Sequence, residues 1–382
     1  MNSLKDKDIL TIYLEGELSS NNASQVEAEI SNLLEKEKPN ELIIDVSKLR
    51  YISSAGLRLM LKYKKMYPSF EVVNASLEVY DIFQMTGFTD IMKVSKALKE
   101  IDISGATLIG EGYCSWVYQI DKDTIIKVFK FATDIKEVER ELKLGREAFV
   151  LGIPTAITYD IVKVGDKYGA RFELLDCLSL RDVIRDNPGR YDEVVNKYID
   201  LIIKINTTPS IGNLPSAKKS WLNKAEVIKE YLEEKDYLKL KELLNSIEER
   251  RTFVHGDCHI KNIMCQEKEM LIIDMDTLSY GHPIFELASL YAPYIAFEED
   301  DKGNTERFFG VSNELTRRIY DDIVKKVLGE RDSEEIRDEI KLVSYAHMVH
   351  WNHVYDHDNM VRLNGCLTRL VNLLHKIDKI SY

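Results

Sequence analysis

The sequence predicts two domains of different class, a small α/β layer domain and then a larger α+β domain in which a β-rich lobe precedes a helical lobe. Three observations carry this expectation. At 382 residues the chain exceeds what one ordinary hydrophobic core organises. Through about residue 95, short apolar strands alternate with amphipathic helices on short connections. After a polar stretch, strands restart and then give way to helices.

The elements follow in order. I-L-T-I-Y-L-E-G-E (Ile9 to Glu17) alternates and is rich in strand formers, and S-S-N-N-A supplies turn and capping residues. Val26, Ile30, Leu33 and Leu34 then repeat at helical spacing. E-L-I-I-D-V (Glu41 to Val46) is a near-continuous apolar run, the mark of a strand buried on both faces. Y-I-S-S-A-G-L opens a helix whose stripe is Leu57, Met60 and Leu61. Phe70 to Ala75 reads as a strand and Leu77 to Phe88 as a helix closed by Gly87. The domain ends near Val94, and the polar hinge Ser95 to Ser104 puts the boundary near Glu100, giving domains of 1–98 and 99–382. Beyond it, Ala106 to Ile120 reads as strand, glycine turn, strand, and Thr124 to Phe129 as a third strand. Ile135 to Leu151 is a charged helix. From Ser179 helices dominate, interrupted by the strand-rich F-V-H-G-D to L-I-I-D, so the lobes are about 99–176 and 177–382.

Hydrophobic residues make up 45% and charged residues 30%, the composition of a folded chain. The formal charge of -12, carried mostly after Glu100, argues against a nucleic-acid partner, which needs a basic surface. Five scattered cysteines without a C-x-x-C pair read as reduced thiols. The start of the chain lacks a secretory pattern, and no apolar run approaches the roughly 18 to 20 residues of a membrane span. The expected setting is the cytoplasm, with no membrane partner.

The chemistry is concentrated in the second domain. V-H-G-D-C-H-I-K-N-I-M (Val254 to Met264) sets Asp257 five residues before Asn262, and L-I-I-D-M-D follows with Asp274 and Asp276. Phosphoryl transfer needs a carboxylate to orient and deprotonate a hydroxyl, and oxygen ligands for a divalent cation on the nucleotide phosphates. Upstream, G-E-G (Gly110 to Gly112) can turn tightly over phosphates, Lys127 on the third strand can reach them, and Glu141 on the next helix can hold Lys127. Each residue alone has a plainer reading: an Asx turn for Asp257 and Asn262, a solvated strand residue for Lys127, a helix-surface charge for Glu141. Five elements in this order and spacing favour the chemistry.

H-G-D-x-x-x-x-N, I-I-D, T-I-I-K and V-E-R-E (Val138 to Glu141) resemble the aminoglycoside phosphotransferase and choline kinase group of the protein-kinase-like fold, from about Ala106 to the C-terminus. The resemblance implies that Asp257 is the catalytic base, that Asn262 and Asp274 hold Mg2+, and that Lys127 with Glu141 anchors the phosphates of ATP or GTP. It implies Asp276 behind the metal ligands, and a hinge at F-E-L-L-D-C (Phe172 to Cys177) where backbone groups of residues such as Glu173 and Leu175 read the base. Two departures stand out. Gly112 is followed by Tyr113, Cys114 and Ser115 where a third glycine is usual, and G-H-P (Gly281 to Pro283) replaces G-D-P.

In the tail, H-M-V-H-W-N-H-V-Y-D-H-D places His347, His350, His353 and His357 on one expected helix. His353 and His357 at i, i+4 lack an accompanying carboxylate arrangement and read as pocket or core histidines rather than a metal site. Asp356 and Asp358 near Trp351 and Tyr355 suit either a cationic or hydroxyl-rich substrate or an acidic solvated face.

L-E-G-E-L-S-S-N-N-A, L-I-I-D-V-S-K-L, Y-I-S-S-A-G-L and F-Q-M-T-G-F, in that order, resemble STAS domains, the fold of anti-sigma factor antagonists, over roughly residues 5 to 95. The resemblance implies phosphorylation of Ser54, two positions before Gly56, by a partner kinase. A phosphate there would meet unpaired N–H groups and the positive end of the helix dipole. Either Ser53 or Ser54 also suits a plain helix cap, worth about 0.5 to 2 kcal/mol. Ser53 and Ser19 stand where regulated members carry acids. The whole chain therefore reads as a small STAS-type domain followed by a two-lobed kinase-like domain that phosphorylates a hydroxyl-bearing small molecule, with a protein partner engaged through the STAS domain. The alternative is a signalling protein whose kinase-like domain phosphorylates a protein serine, Ser54 included, or only senses nucleotide.

Overall fold

The computed structural model describes residues 1–112, 114–132, 135–210, 214–266 and 269–382. They form two compact units, Met1–Ile101 and Asp102–Tyr382. In the first, strands β1 (Asn2–Asp6), β2 (Ile9–Leu18), β3 (Glu41–Ile52), β4 (Glu71–Ala75) and β5 (Lys93–Lys96) lie in sequence order. The β1–β2 pair is antiparallel and the others are parallel. The alternating Leu10, Ile12, Leu14 and Leu18 of β2 face the core, against the continuous apolar run of β3.

Two strand assignments needed correction. β1 is exposed along its length and has no buried face to betray it in the sequence. β3 runs six residues past Val46 because pairing with β2 resumes after two register shifts, through Glu17↔Tyr51 and Leu18↔Ile52.

Helices α1 (Ala23–Glu37), α2 (Ser54–Met66) and α3 (Leu77–Met85) join these strands. α2 buries Leu57, Leu59, Met60 and Tyr63, while Leu61, expected in the stripe, is only partly covered. Its start separates two serines that the sequence left interchangeable. Ser53 caps the helix, its Oγ accepting the Gly56 N–H at 3.4 Å, whereas Ser54 is exposed as the first helical residue. A Cβ on Gly56 would stand 2.7 Å from Ile52 Cγ1 and 2.8 Å from Leu18 Cγ, so the helix packs against the sheet where no side chain fits. Replacing Ser53 by Ala is expected to cost about 1 kcal/mol of unfolding free energy; replacing Ser54 by Ala should leave the urea midpoint in place.

In the second unit, β6 (Thr107–Glu111), β7 (Ser115–Gln119), β8 (Thr124–Phe129), β9 (Thr158–Val164) and β10 (Lys167–Glu173) hydrogen-bond in the antiparallel order β9-β10-β8-β7-β6. α4 (Ile135–Val150) covers the sheet, packing Val138 and Leu142 on Ala170. The β9–β10 hairpin was not among the expected elements. The helical lobe comprises α5 (Leu180–Asp186), α6 (Tyr191–Thr207), α7 (Ala217–Val227), α8 (Glu234–Ser246), α9 (Ile284–Tyr291), α10 (Asn313–Leu328), α11 (Glu334–Tyr355) and α12 (Met360–Lys376). α9 is buried at every residue and forms the axis of this core. Between α8 and α9 a hairpin of β11 (Ile263–Cys265) and β12 (Met270–Ile272) lies at the base of the cleft. Among the described residues no helix is long and apolar enough to cross a membrane.

The histidines of the tail do not form one helical row, because α11 ends at Tyr355 and leaves His357 beyond it, largely exposed. His353 Nδ1 meets the Tyr231 hydroxyl at 2.7 Å, and His347 Nδ1 meets Lys224 Nζ at 2.9 Å. That ammonium also stands 3.9 Å from the centroid of Trp221. Burial holds Lys224 down at about 8 against an ordinary 10.5. The unfolded chain therefore binds more protons between those values, and stability should rise with pH through that window. Lys224→Met is expected to remove this rise, read as the difference between the two pH profiles of the thermal midpoint.

Candidate active site

The loop that carries Asp257 is shaped by bonds from beneath. Glu286 of α9, fully buried, accepts the N–H groups of His255 at 2.6 Å and Gly256 at 3.1 Å. Gly256 has φ +82°, and a Cβ there would meet Thr277 at 3.4 Å, while Thr277 Oγ1 donates to the His255 carbonyl at 2.6 Å. Two buried tyrosines hold the far side: Tyr198 donates to the Cys258 carbonyl and the Tyr294 hydroxyl accepts the Ile260 N–H. His282, where an acid was the usual residue, keeps the approach to α9 in order, since its Nδ1 accepts the Ile284 N–H at 3.2 Å. Asp257 is thereby presented half-buried at the cleft, with Asn262 Nδ2 donating to both its carbonyl and its Oδ2 at 2.9 Å.

The β11–β12 register brings Asn262 and Asp274 together. Ile263 pairs with Ile272, and one residue further out the Ile273 N–H donates to the Asn262 carbonyl at 2.9 Å. Asp274 follows at φ 68°, a left-handed conformation rare for a residue with a side chain. Its Oδ1 lies 2.7 Å from Lys127 Nζ, and that ammonium also reaches Glu141 Oε1 at 2.8 Å. Lys127 stands mid-strand on β8, opposite Ala170 on one side and Val117 on the other, so sheet pairing from both flanks fixes its position. Burial opposes charge on the ammonium, but Asp274 and Glu141 outweigh it and hold the lysine charged. Burial likewise disfavours ionised Asp274, and Lys127 overrides it, keeping the carboxyl below its ordinary range. The desolvated setting of Asp257 and then Asp274 push its carboxyl up to about 7, against the Asn262 hydrogen bond.

Gly110 and Gly112 flank the turn between β6 and β7. Neither sits at positive φ, and Gly112 is bonded through its N–H to the Ser115 carbonyl and through its carbonyl to Lys130 Nζ. Tyr113, which departs from the glycine pattern, lies outside the described residues. At the hinge, the Glu173 N–H is committed to the Ile157 carbonyl, so this residue has no free donor. Leu175 is half-buried, and among the described residues its N–H donates to no carbonyl.

The sequence model of the phosphotransferase enzyme family matches residues 105–319, more than half of the chain. The chain belongs to that family. A STAS domain model matches residues 1–101, and this part is 34% identical over 93 residues to the Bordetella bronchiseptica protein named "Putative anti-sigma factor antagonist BtrV", covering 23% of this chain and 79% of that one. Among solved structures, the chain is similar to ADP-bound aminoglycoside phosphotransferase APH(2'')-Ib at 12% identity, over 70% of this chain and 94% of that one, with a TM-score of 0.45. It is similar to a choline/ethanolamine kinase family protein of Mesorhizobium loti at 11% identity, over 71% and 92% of the two chains, with a TM-score of 0.43.

The donor set of this phosphotransferase fits a hydrated divalent cation. With Asn262 Nδ2 committed to Asp257, the amide oxygen is the group left to a metal, and the Asp274 carboxylate follows Ile273, whose N–H donates to the Asn262 carbonyl. Among the described residues no group of three or more His, Cys, Asp or Glu side chains could hold a metal ion. Asp276 is exposed at the rim. The residues that sequence reasoning missed are the ones beneath the loop. Glu286 had a visible signal, a lone acid in the otherwise apolar run I-F-E-L-A; Tyr198, Tyr294 and Thr277 had none.

Proposed function

We propose that the second domain transfers the γ-phosphoryl group of ATP or GTP to a hydroxyl of a small molecule, with the STAS domain as a regulatory or docking module. The observation that carries this reading is Lys127 bridging Glu141 and Asp274 in the cleft that also presents the Asp257–Asn262 pair. In the step, the acceptor oxygen forms a bond to the γ-phosphorus while the bond from that phosphorus to the bridging oxygen breaks. The hydroxyl proton passes to an Asp257 oxygen, and the nucleoside diphosphate leaves. Lys127, kept charged by its partners, is placed to hold the phosphates, and Glu141 sets its direction. Asn262 and Asp274 would hold Mg2+, which supplies neutralisation of phosphate charge when bound. Leu175 offers its backbone N–H to the base.

The test is calorimetric binding of ADP with Mg2+, and transfer from labelled ATP to a panel of amino sugars, choline-like alcohols and nucleosides. Failure to bind nucleotide would sink the proposal.

A second reading is favoured by Ser54, which is exposed while Ser53 does the capping. Such a serine can accept phosphate without loss of the cap, so the STAS domain can serve as a phosphorylation-controlled surface for a protein partner. Intact mass after incubation with ATP, for the wild type and Ser54→Ala, decides whether this chain labels itself there. Equal labelling of the two would exclude Ser54.

A further inference from the structure

A cavity of about 260 Å³ lies in the helical lobe among residues that the phosphotransfer site does not use. Tyr291 and Ile295 line it from the end of α9 and the turn after it, Arg317 and Tyr320 from α10, and Arg337 from α11. The rings of Tyr291 and Tyr320 meet edge to face at 5.5 Å. Their hydroxyls are already bonded, Tyr291 to Glu299 at 3.3 Å and Tyr320 to the Leu287 carbonyl at 3.2 Å, so what they offer a guest is ring surface. The charges of the lining are spent, with one exception. Arg337 gives Nε and Nη2 to Asp332 at 2.6 and 2.9 Å, and Nη1 to Asp321 at 2.7 Å. Lys341, which completes the lining with Asp321, pairs with Asp338 at 2.7 Å. Glu299, beneath the Tyr291 hydroxyl, pairs with Arg369 at 3.3 Å. Arg317, half-buried, makes no hydrogen bond, ion pair or ring contact among the described residues. The lining therefore includes one uncommitted guanidinium beside two aromatic rings.

The wall at Tyr291 and Ile295 belongs to the stretch of chain that holds the catalytic loop. α9 carries Glu286, under His255 and Gly256, near its start and Tyr291 at its end. Pro293 has no N–H to continue the helix, and Ala292–Ala296 widens into a turn of π-helix, a form frequent at functional sites. Within that turn the Tyr294 hydroxyl accepts the Ile260 N–H at 2.9 Å, and the next residue is Ile295 of the cavity lining. A guest that fixes Tyr291 and Ile295 bears on the turn that places Tyr294.

We propose that this cavity is a regulatory site for a small aromatic carboxylate, whose anion Arg317 takes and whose ring lies against Tyr291 and Tyr320, and that its occupation steadies the catalytic loop through Tyr294. A guanidinium matches a carboxylate with two parallel N–H groups, and edge-to-face or offset rings add to the burial. The volume falls below the roughly 300–1,000 Å³ of sites for drug-sized ligands, so the guest is of single-ring size. Binding there does not depend on the phosphotransfer reading and needs no acceptor to be measured.

Calorimetry and hydrogen exchange on the full chain decide, with benzoate, benzyl alcohol, benzylamine and acetate as probes. Benzoate is expected to bind at least about tenfold more tightly than each of the others. Arg317→Met should lose the margin over benzyl alcohol, and Arg317→Glu should reverse the order of benzoate and benzylamine. Because Arg317 leaves no partner unpaired, neither change should unfold the protein. In the wild type, saturating benzoate should slow exchange of the Ile260 N–H about fivefold or more, and the same concentration should not do so in Arg317→Met. Absence of benzoate binding at millimolar concentration overturns the proposal, as does equal affinity for benzoate and benzyl alcohol. So does a benzoate preference that survives in both variants, which would place the anion elsewhere. Binding that leaves Ile260 exchange unchanged overturns it as well, because the cavity would then not reach the loop.

Discussion

Replacing Asp257 by Asn is expected to slow phosphoryl transfer by about 10²- to 10⁴-fold while ADP still binds. The side chain keeps its size, and Asn262 Nδ2 can still donate to the oxygen that remains, so the loop over Glu286 has no reason to move. What disappears is an oxygen able to take the hydroxyl proton. The raised Asp257 carboxyl sharpens the point: a group pushed up to about 7 is a better proton acceptor when ionised than an ordinary aspartate. Steady-state transfer measured beside ADP calorimetry checks both halves. Transfer within threefold of wild type would remove Asp257 from the reaction.

Glu286→Ala is the complementary experiment, large in stability as well as in rate. Two backbone N–H groups lose their acceptor in a fully buried place, and each unpaired donor costs about 1–3 kcal/mol. The expected loss is roughly 3 kcal/mol or more, a large part of an ordinary stability. Transfer should also fall, because the His255–Gly256 peptide sets where Asp257 stands. Glu286→Gln keeps the shape but can accept only one of the two bonds squarely, and should fall between. Urea unfolding and transfer kinetics on the three proteins give the order; an Ala variant as stable as the wild type would mean that the loop is held by Thr277 and the tyrosines instead.

Much of this architecture was written in local patterns. The strand-helix alternation of the first unit follows from apolar periodicity that each element shows on its own, and the spacing of Asp257, Asn262 and Asp274 follows from one hairpin close in sequence. What stayed hidden depends on distant partners. β1 has no buried face, and the end of β3 depends on register shifts in its neighbour. The choice between Ser53 and Ser54 is set by a single cap bond. Likewise, Asp356 and Trp351 look like an open site until Arg362, brought back on the next helix, fills it. A side chain that neutralises another from within leaves the same composition as one awaiting a ligand.

The ion pair of Lys127 with Asp274 has a consequence for the charge of the cleft. Carboxylates gathered to receive a metal would ordinarily repel one another and loosen the hairpin that carries them. Here the Lys127 ammonium stands between Asp274 and Glu141 as a resident counter-ion. Chelation with EDTA is accordingly expected to leave the thermal midpoint of the nucleotide-free chain unchanged. Were nucleotide to enter, Lys127 would have to turn from Asp274 to the phosphates and Asp274 would be freed to hold Mg2+, so that loading the cleft would be an exchange of partners.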